Sequence, residues 1–246
     1  MRLLCAGAAC LLALSTALAT AQSAARPNLS GFWSAGRQIP QDAAMVKALP
    51  PNTVVLGDAG AVEFPVGEFG GLRLKPGAAA AAKTWKPEHE MTVDRVCLPP
   101  SIVYAMQGPF PMEIHQTPDL IVMRLEYYDM VRLIFLDGRA HPPANAPHTK
   151  VGHSVGRWDG STLVVDTTHL SASTITNNGL NHTDKVHVIE RFWLGNGGKT
   201  LMMLQEFEDP DALENRGARF VGWDRGNDFI YPYECDPSFA ANYQKK

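Results

Sequence analysis

The chain has 246 residues, of which 45% are hydrophobic and 19% are charged, and its formal net charge is −3. It contains no lysine or arginine run that could neutralise a row of phosphates, so composition disfavours nucleic acid and anionic membrane surfaces as partners. After the first twenty or so residues, no apolar stretch is long enough to cross a bilayer, and membrane insertion is not expected. The length predicts a single domain with a sizeable core.

The first residues have the features of a secretory signal peptide. Met1-Arg2 is a short charged start, residues 3–18 are almost entirely apolar or small, and Ala19-Thr20-Ala21 is an A-x-A cleavage site. We therefore expect residues 1–21 to be removed and residues 22–246 to form the mature chain. The expected location is the periplasm or the outside of the cell.

Two cysteines, Cys97 and Cys235, remain in the expected mature chain. In an oxidising compartment such a pair predicts a disulfide that closes a long loop. The alternative is two separate buried thiols. A metal site built on cysteine is disfavoured, because neither residue has a second cysteine at CxxC spacing.

Residues 22–118 predict an N-terminal excursion, rich in proline, glycine and alanine, over the main body of the domain. Short helices are expected within residues 40–49 and 78–82. Prolines bracket residues 101–108, a loop that carries Tyr104 and Met106. This loop is predicted either to cover a pocket as a lid or to serve as packing.

From residue 119 the pattern becomes regular, and short strands alternate with turn residues. The predicted strands span residues 120–128, 130–136, 151–158, 161–169, 185–194, 199–208, 219–223 and 229–233. Asp159-Gly160 is a favoured sequence for a two-residue hairpin turn. Short strands with local turns and few helices predict an all-β fold. We expect a single antiparallel β-barrel or barrel-like sandwich, with residues 119–235 forming a meander of hairpins.

Two resemblances bear on this prediction. Gly31-Phe32-Trp33 resembles the G-x-W that opens the first strand of lipocalin-type barrels, which implies a lipocalin- or calycin-like fold. The sequence GHSVGRWDG at 152–160, followed by TLVVDT at 162–167, resembles a group of exported bacterial β-rich proteins. The match extends to residues 28–33, CLPP at 97–100, His182, His187 and Glu190-Arg191-Phe192. It implies an exported β-rich chain and carries no established chemistry.

Ionisable side chains concentrate in one part of the predicted sheet, and six of the eight histidines fall between residues 141 and 187. Because successive strand residues point to opposite faces, His153 shares a face with Arg157, and His187 shares a face with Arg191. Glu190 points the other way from His187. If both histidine-bearing faces turn inward, two imidazoles and two guanidinium groups meet at one cavity.

Imidazoles exchange protons near neutral pH, a carboxylate such as Asp166 or Asp184 can fix a ring tautomer, and a guanidinium can hold a developing oxyanion. The predicted catalytic residues are His153, His187, His182, Asp166, Arg157, Arg191 and Glu190. The residues predicted to bind the substrate are Tyr104, Met106, Tyr128 and Trp158. The alternative for any one histidine is a surface or hydrogen-bonded residue without a chemical role.

The leading hypothesis is an exported enzyme that performs cofactor-independent acid–base chemistry, of lyase, isomerase or hydrolase type, on a small aromatic or otherwise apolar organic molecule. The first alternative is a periplasmic small-molecule binding or carrier protein, which predicts few buried histidines and acids around its pocket. The second is an interaction module of an envelope complex, which predicts no deep pocket.

No cofactor is expected, because the sequence has no glycine-rich phosphate loop or dinucleotide fingerprint. Ser154 is followed by another strand rather than by the helix that a nucleophile elbow needs. Zinc or another divalent metal is the alternative use of the histidines. The His-x4-His spacings, at 148/153 and 182/187, disfavour it on a strand, where the two rings would point to opposite faces.

Overall fold

The computed structural model describes residues 26–60 and 62–243. The predicted signal peptide, residues 1–21, lies outside the described residues. None of the helices within the described ranges is long and apolar enough to span a bilayer.

The fold is all-β and barrel-like, as predicted, and its main sheet curls into a half-barrel. The strands are β1 (Gly31–Trp33), β2 (Arg37–Gln38), β3 (Thr53–Val55), β4 (Met112–Gln116), β5 (Leu120–Leu125), β6 (Val131–Phe135), β7 (His153–Asp159), β8 (Thr162–Thr168), β9 (Ser173–Thr176), β10 (Leu180–His182), β11 (His187–Gly195), β12 (Thr200–Glu208) and β13 (Arg216–Asp224). The helices are α1 (Ala43–Ala48), α2 (Pro76–Thr84), α3 (Ile102–Ala105) and α4 (Ser238–Tyr243).

Eleven strands form the main sheet, in the order β1-β4-β5-β6-β7-β8-β11-β12-β13-β2, with β3 also paired to β13; β9 and β10 form a separate hairpin. The pairs β6–β7 and β3–β13 are parallel, and the other pairs are antiparallel. The strands of each parallel pair are separated by a long connection, which parallel pairing requires. The antiparallel neighbours β4–β5, β5–β6, β7–β8, β11–β12 and β12–β13 follow one another along the chain.

Residues 31–38 pair with both edges of the sheet, since β1 lies beside β4 and β2 lies beside β13. Ser34 N–H donates to the Asp224 carbonyl (2.9 Å), and Gly226 N–H donates to the Phe32 carbonyl (3.1 Å). Between these contacts, Trp33 is fully buried. One short segment therefore draws the two edges of the curled sheet together around a common core.

Alternation along the strands divides the sheet into two faces. In β8, Leu163, Val165 and Thr167 are fully buried, whereas the intervening residues are only partly buried. We call the side that carries these three residues the inner face and the opposite side the outer face. The inner face packs on α3, whose Ile102 and Val103 are also fully buried. Apolar burial on this face holds the barrel together.

The predicted helices at 40–49 and 78–82 are confirmed as α1 and α2. Asp42 caps α1, because its carboxylate accepts hydrogen bonds from the N–H groups of Ala44 and Met45. Pro76 occupies the first turn of α2, where the missing N–H has no intrahelical partner to lose.

Two predictions about local structure need correction. Residues 219–223 and 229–233 do not form a hairpin: β13 is paired on one side with β12 and on the other with β2 and β3, so its hydrogen bonds are already taken. Residues 229–233 instead have no strand structure. The predicted loop 101–108 contains helix α3, because Ile102, Val103 and Met106 are buried against the sheet and favour a compact helical turn.

Two ion pairs are buried in the interior. Arg219 and Asp58 are both fully buried and bonded at 2.8 Å through two parallel hydrogen bonds. Arg132 and Glu190 form the second pair and are also fully buried. A buried charge that loses its partner is strongly destabilising. The first pair therefore constrains how the segment that carries Asp58 docks on β13, whereas the second joins β6 to β11 within the sheet.

Cys97 and Cys235 are bonded, with their Cα atoms 5.8 Å apart and a sequence separation of 138. The predicted pairing is present in the structure. It ties the segment that precedes α3 to the C-terminal end of the chain.

The disulfide can be checked by mass spectrometry of the protein with and without reductant. We expect the unreduced, denatured protein to resist alkylation and to gain two hydrogens on reduction. In the chain-entropy description, opening so long a loop should lower the free energy of unfolding by about 3–5 kcal/mol. Two freely alkylated thiols in the unreduced sample would contradict the pairing.

The Asp58–Arg219 pair gives a stability prediction. Asp58→Ala leaves a guanidinium buried without its carboxylate, so the free energy of unfolding should fall by about 3–5 kcal/mol in urea denaturation. The matched control is Glu214→Ala, which removes the partner of Arg73 in an exposed pair and should cost less than about 1 kcal/mol. Equal losses in the two variants would show that the buried pair does not hold the excursion in place.

Candidate functional site: a histidine–aspartate cluster on the outer face

Strand register brings three of the predicted catalytic residues together. His153 on β7 lies opposite Thr168 on β8, and Asp166 lies between Val155 of β7 and Ile189 of β11. Their chain neighbours Ser154, Thr167 and Val188 are buried on the inner face. His153, Asp166 and His187 therefore all project from the outer face, not into the barrel interior where a shared cavity was expected.

Asp166 is the centre of the cluster. Its Oδ1 accepts a hydrogen bond from Nε2 of His187 (2.9 Å) and another from Nε2 of His141 (3.1 Å). The His141 Nδ1 atom lies 3.0 Å from the His153 Nδ1 atom. We call His141, His153, Asp166 and His187 the histidine–aspartate cluster.

One tautomer assignment follows from these contacts if His141 is neutral. His141 then donates from Nε2 to Asp166, its Nδ1 accepts, and His153 donates from Nδ1. The Nε2 atom of His153 is then the nitrogen that carries a lone pair. The Thr168 hydroxyl lies 2.8 Å from Nδ1 of His169 and 3.0 Å from Nδ1 of His141, and it can donate to only one of these two rings.

The pKa values of the two terminal imidazoles of the cluster, His153 and His187, are shifted in opposite directions. The hydrogen bond to Asp166 raises the pKa of His187, and the charges of Asp166 and Glu208 add to this effect against the opposing effect of burial. Burial lowers the pKa of His153, and the neighbouring His141, His169 and Arg139 lower it further. His153 thus favours the neutral form, and His187 favours the protonated form.

Burial tends to raise the pKa of Asp166, but its hydrogen bonds and charge interactions with His187 and His141 outweigh burial and lower the net value. The carboxylate therefore stays ionised. The cluster is open to solvent: the side chains of His141, His187 and Asp166 are 23%, 36% and 41% exposed. Its groups are accessible to a molecule that arrives from outside.

An aromatic side chain supports the His153 ring. Phe135 stacks on it with ring centroids 5.3 Å apart, and the Arg139 guanidinium lies 3.7 Å from the centre of the Phe135 ring on β6. Asp137 binds Arg139 in turn. This stack fixes the plane of His153 and places a positive charge nearby.

The structure places Arg157 and Arg191 away from the imidazoles. Both lie opposite Val164, four residues along their strands from His153 and His187, which is about 13 Å in extended chain. Glu206 pairs with Arg191. Arg157 is exposed and forms no ion pair within the described part of the chain.

Two other predicted catalytic residues belong to the interior. Glu190 is fully buried and pairs with Arg132, so the alternation that separated it from His187 is confirmed. His182 is 2% exposed, accepts a hydrogen bond from the Ser101 hydroxyl (2.6 Å) and donates from Nδ1 to the Thr183 carbonyl. Burial lowers the pKa of His182 to about 4. Neither residue touches the histidine–aspartate cluster.

The predicted substrate-binding residues separate into three places. Tyr104 and Tyr128 line a cavity of about 490 Å³, and none of its lining residues is a histidine. Trp158 borders a different depression of about 410 Å³ near Asn28. Met106 is fully buried in the core.

Sequence reasoning missed two members of the outer-face site. His141 lies in the proline-rich loop between β6 and β7, where no periodicity predicts the direction of a side chain, although its position in the histidine-rich stretch was a signal. Glu208 reaches the site because β12 pairs with β11 in a register that sets it opposite His187. Its Oε1 lies 3.7 Å from His187 Nδ1.

Within residues 26–60 and 62–243, no group of three or more His, Cys, Asp or Glu side chains is arranged to hold a metal ion. The expectation that the protein needs no cofactor stays a prediction. Comparison of the chain with protein-family models, curated proteins and solved structures finds no match. The interpretation of the site therefore depends on its geometry.

The opposite pKa shifts can be measured by NMR titration of the histidine rings. His187 should titrate above the ordinary imidazole value of about 6.5 and His153 below it. Because the pKa of His187 is raised on folding, its contribution to stability is complete below about pH 6.5 and is lost as the pH rises through the folded value.

Asp166→Asn should return the His187 titration toward the ordinary value. Asp184→Asn is the control, because Asp184 pairs with Lys185 on the surface and should leave His187 unchanged. Titration of His187 at the same pH in wild type and Asp166→Asn would contradict the central role of this carboxylate.

Proposed function

We propose that the protein is an exported enzyme that performs cofactor-independent acid–base chemistry on a small aromatic or otherwise apolar molecule, with the histidine–aspartate cluster as its catalytic centre. The observation that carries the proposal is the set of contacts in which Asp166 bonds to His187 and His141, and His141 contacts His153. The environments of His153 and His187 shift their pKa values in opposite directions. Two titratable groups separated in this way are suited to the roles of base and acid at one pH.

His153 is the proposed general base. Its Nδ1 is engaged with His141, its Nε2 carries the lone pair, and its lowered pKa keeps the ring neutral. The stack on Phe135 holds the ring in one orientation. A neutral, oriented imidazole with an available nitrogen can accept a proton from a bound molecule without prior rearrangement.

His187 is the proposed general acid. Asp166 and Glu208 on either side stabilise its protonated form. Asp166 also binds His141, the partner of His153, so one carboxylate orients both halves of the cluster. Loss of a proton from His187 to substrate would leave a neutral ring still bonded to Asp166.

The separation of the two rings favours reactions in which a proton leaves one substrate atom and another is delivered nearby. Strand β8 lies between β7 and β11, so the backbones that carry His153 and His187 are about 10 Å apart and their side chains can converge on a small molecule. In an elimination, His153 takes a proton from carbon, the electron pair forms the double bond, and His187 protonates the leaving oxygen. Isomerisation uses the same two transfers.

The residues between the imidazoles suit an apolar substrate. Val155 and Ile189 flank Asp166 on the outer face and provide an apolar floor. Arg157, about 13 Å along β7 from His153, is available to bind a negative group at the far end of the substrate, whereas Glu206 occupies Arg191.

A second candidate function is the binding of a small molecule without chemistry. The observation that favours it is the cavity of about 490 Å³ lined by Tyr104 and Tyr128, which is separate from the histidines. Its volume is within the usual range of small-molecule sites. Turnover measurements and binding measurements distinguish the two functions, because they depend on different residues.

A panel of phenolic, lactone and polyketide-like compounds should first be screened for turnover. On a converted compound, His153→Ala and His187→Ala should each lower kcat by about 10²–10⁴-fold. The matched control is His115→Ala, which removes an exposed histidine of β4 and should leave kcat unchanged. Because the cluster is partly exposed, the thermal midpoints of all three variants should stay close to that of wild type.

The pH profile provides an independent test. Activity needs neutral His153 and protonated His187, so kcat/KM should rise at low pH as His153 loses its proton and fall at high pH as His187 loses its own. In His187→Ala the high-pH limb should disappear. Wild-type turnover in both histidine variants would sink the acid–base assignment and leave the binding function as the better candidate.

A further inference from the structure

Four aromatic side chains from three separate segments line the cavity of about 490 Å³. Trp85 follows α2, Tyr104 belongs to α3, and Tyr127 and Tyr128 form the turn between β5 and β6. We call this space the aromatic cavity. Trp85 fits closely against Gly179, which has φ +98°; a Cβ added there would lie 2.5 Å from Cβ of Trp85. The position of Trp85 in the cavity wall therefore requires glycine at residue 179.

The hydroxyl protons of the lining tyrosines are largely engaged with the protein itself. Tyr128 donates to the Val96 carbonyl (2.8 Å), and Tyr104 donates to the Glu63 carboxylate. Burial raises the pKa of Tyr128 to about 12 and, together with Glu63, raises the pKa of Tyr104. Both phenols therefore stay neutral and present mainly ring surface to the cavity.

The charges in the cavity wall leave one cation without a carboxylate. Of the three charged lining residues, Arg95 and Glu90 pair with each other at 2.8 Å. Lys150 forms no ion pair within the described ranges, and its ammonium group donates to the Ala172 carbonyl (2.9 Å). Two of its N–H groups remain available to a ligand.

Lys150 is half-buried, and burial together with the nearby Arg95 lowers its pKa. A partly desolvated ammonium group gains more from an anionic partner than an exposed one does, because the surrounding dielectric is lower. An aromatic wall with a single uncompensated cation has the complementarity of a flat ring that carries one negative charge.

We propose that the aromatic cavity binds a small aromatic carboxylate, with its ring against Trp85 and the tyrosines and its carboxylate on Lys150. The inference rests on the second candidate function above, that this cavity is a small-molecule site. It adds the charge and shape of the ligand and is independent of the histidine–aspartate cluster.

The experiment uses 2-naphthoate, its neutral analogue 2-naphthamide, and cyclohexanecarboxylate, with binding measured by calorimetry and tryptophan fluorescence. Wild type should bind 2-naphthoate most tightly. Lys150→Met should weaken 2-naphthoate by about 10–100-fold, the usual worth of a charge-assisted hydrogen bond, and leave 2-naphthamide unchanged. Lys150→Arg should retain most of the preference for the anion.

Two further variants locate the site. Lys199→Met removes an exposed lysine at the β11–β12 turn and should change nothing. Gly179→Ala forces Trp85 to move and should weaken both naphthalene ligands together. Thermal midpoints of all variants check that they are folded.

The outcomes distinguish two claims: that the cavity is a binding site, and that its ligand is an aromatic anion. Equal binding of 2-naphthoate and 2-naphthamide, or unchanged 2-naphthoate binding in Lys150→Met, would overturn the assignment of an anionic ligand but leave the cavity as a binding site. Tighter binding of cyclohexanecarboxylate than 2-naphthoate would overturn the aromatic preference. Failure of all three compounds to bind would overturn both the inference and the binding function, without bearing on turnover at the histidines.

Discussion

The arrangement of the interior depends on the hydrogen bonds of the buried Arg219 guanidinium. It is bonded to both carboxylate oxygens of Asp58, to the Val103 carbonyl (2.8 Å) and to the Ile175 carbonyl (2.5 Å). These partners belong to the N-terminal excursion, to α3 and to β9. Since a buried charge is strongly destabilising without its partners, one strand residue constrains the positions of three segments that cover the sheet.

The same strands divide structural and chemical roles between their two faces. On the inner face, Arg132 binds Glu190, Thr167 and Ser154, and all four side chains are buried. On the outer face, one residue away in each strand, the imidazoles and Asp166 remain in contact with solvent. Period-two alternation is the reason that a rigid buried network can lie directly behind an accessible, titratable one. This backing limits the motion of the outer side chains.

The histidine–aspartate cluster and the aromatic cavity are separate in the fold, so the protein has two candidate sites instead of one. A single pocket with aromatic walls and a histidine floor would combine binding and catalysis. Here, Tyr104 and Tyr128 share their cavity with Lys150, whereas the imidazoles share the outer face with Val155 and Ile189. The two sites have different side chains. We propose proton transfer for one and binding of an aromatic anion for the other, and each proposal has its own test.

The sequence by itself predicted the hairpins within 120–136, 151–169 and 185–208, the disulfide partners and the opposed directions of His187 and Glu190, because these follow from local alternation, turn residues and the number of cysteines. It could not determine which face of the sheet closes on the core. Alternation shows which residues share a face, but it does not show which of the two faces is buried. The tertiary structure decided that His153 and His187 face outward, that loop residue His141 joins them, and that Met106 is core. It also decided that β13 pairs with β2 and β3 rather than with residues 229–233. These outcomes depend on contacts between segments far apart in sequence, which no local pattern records.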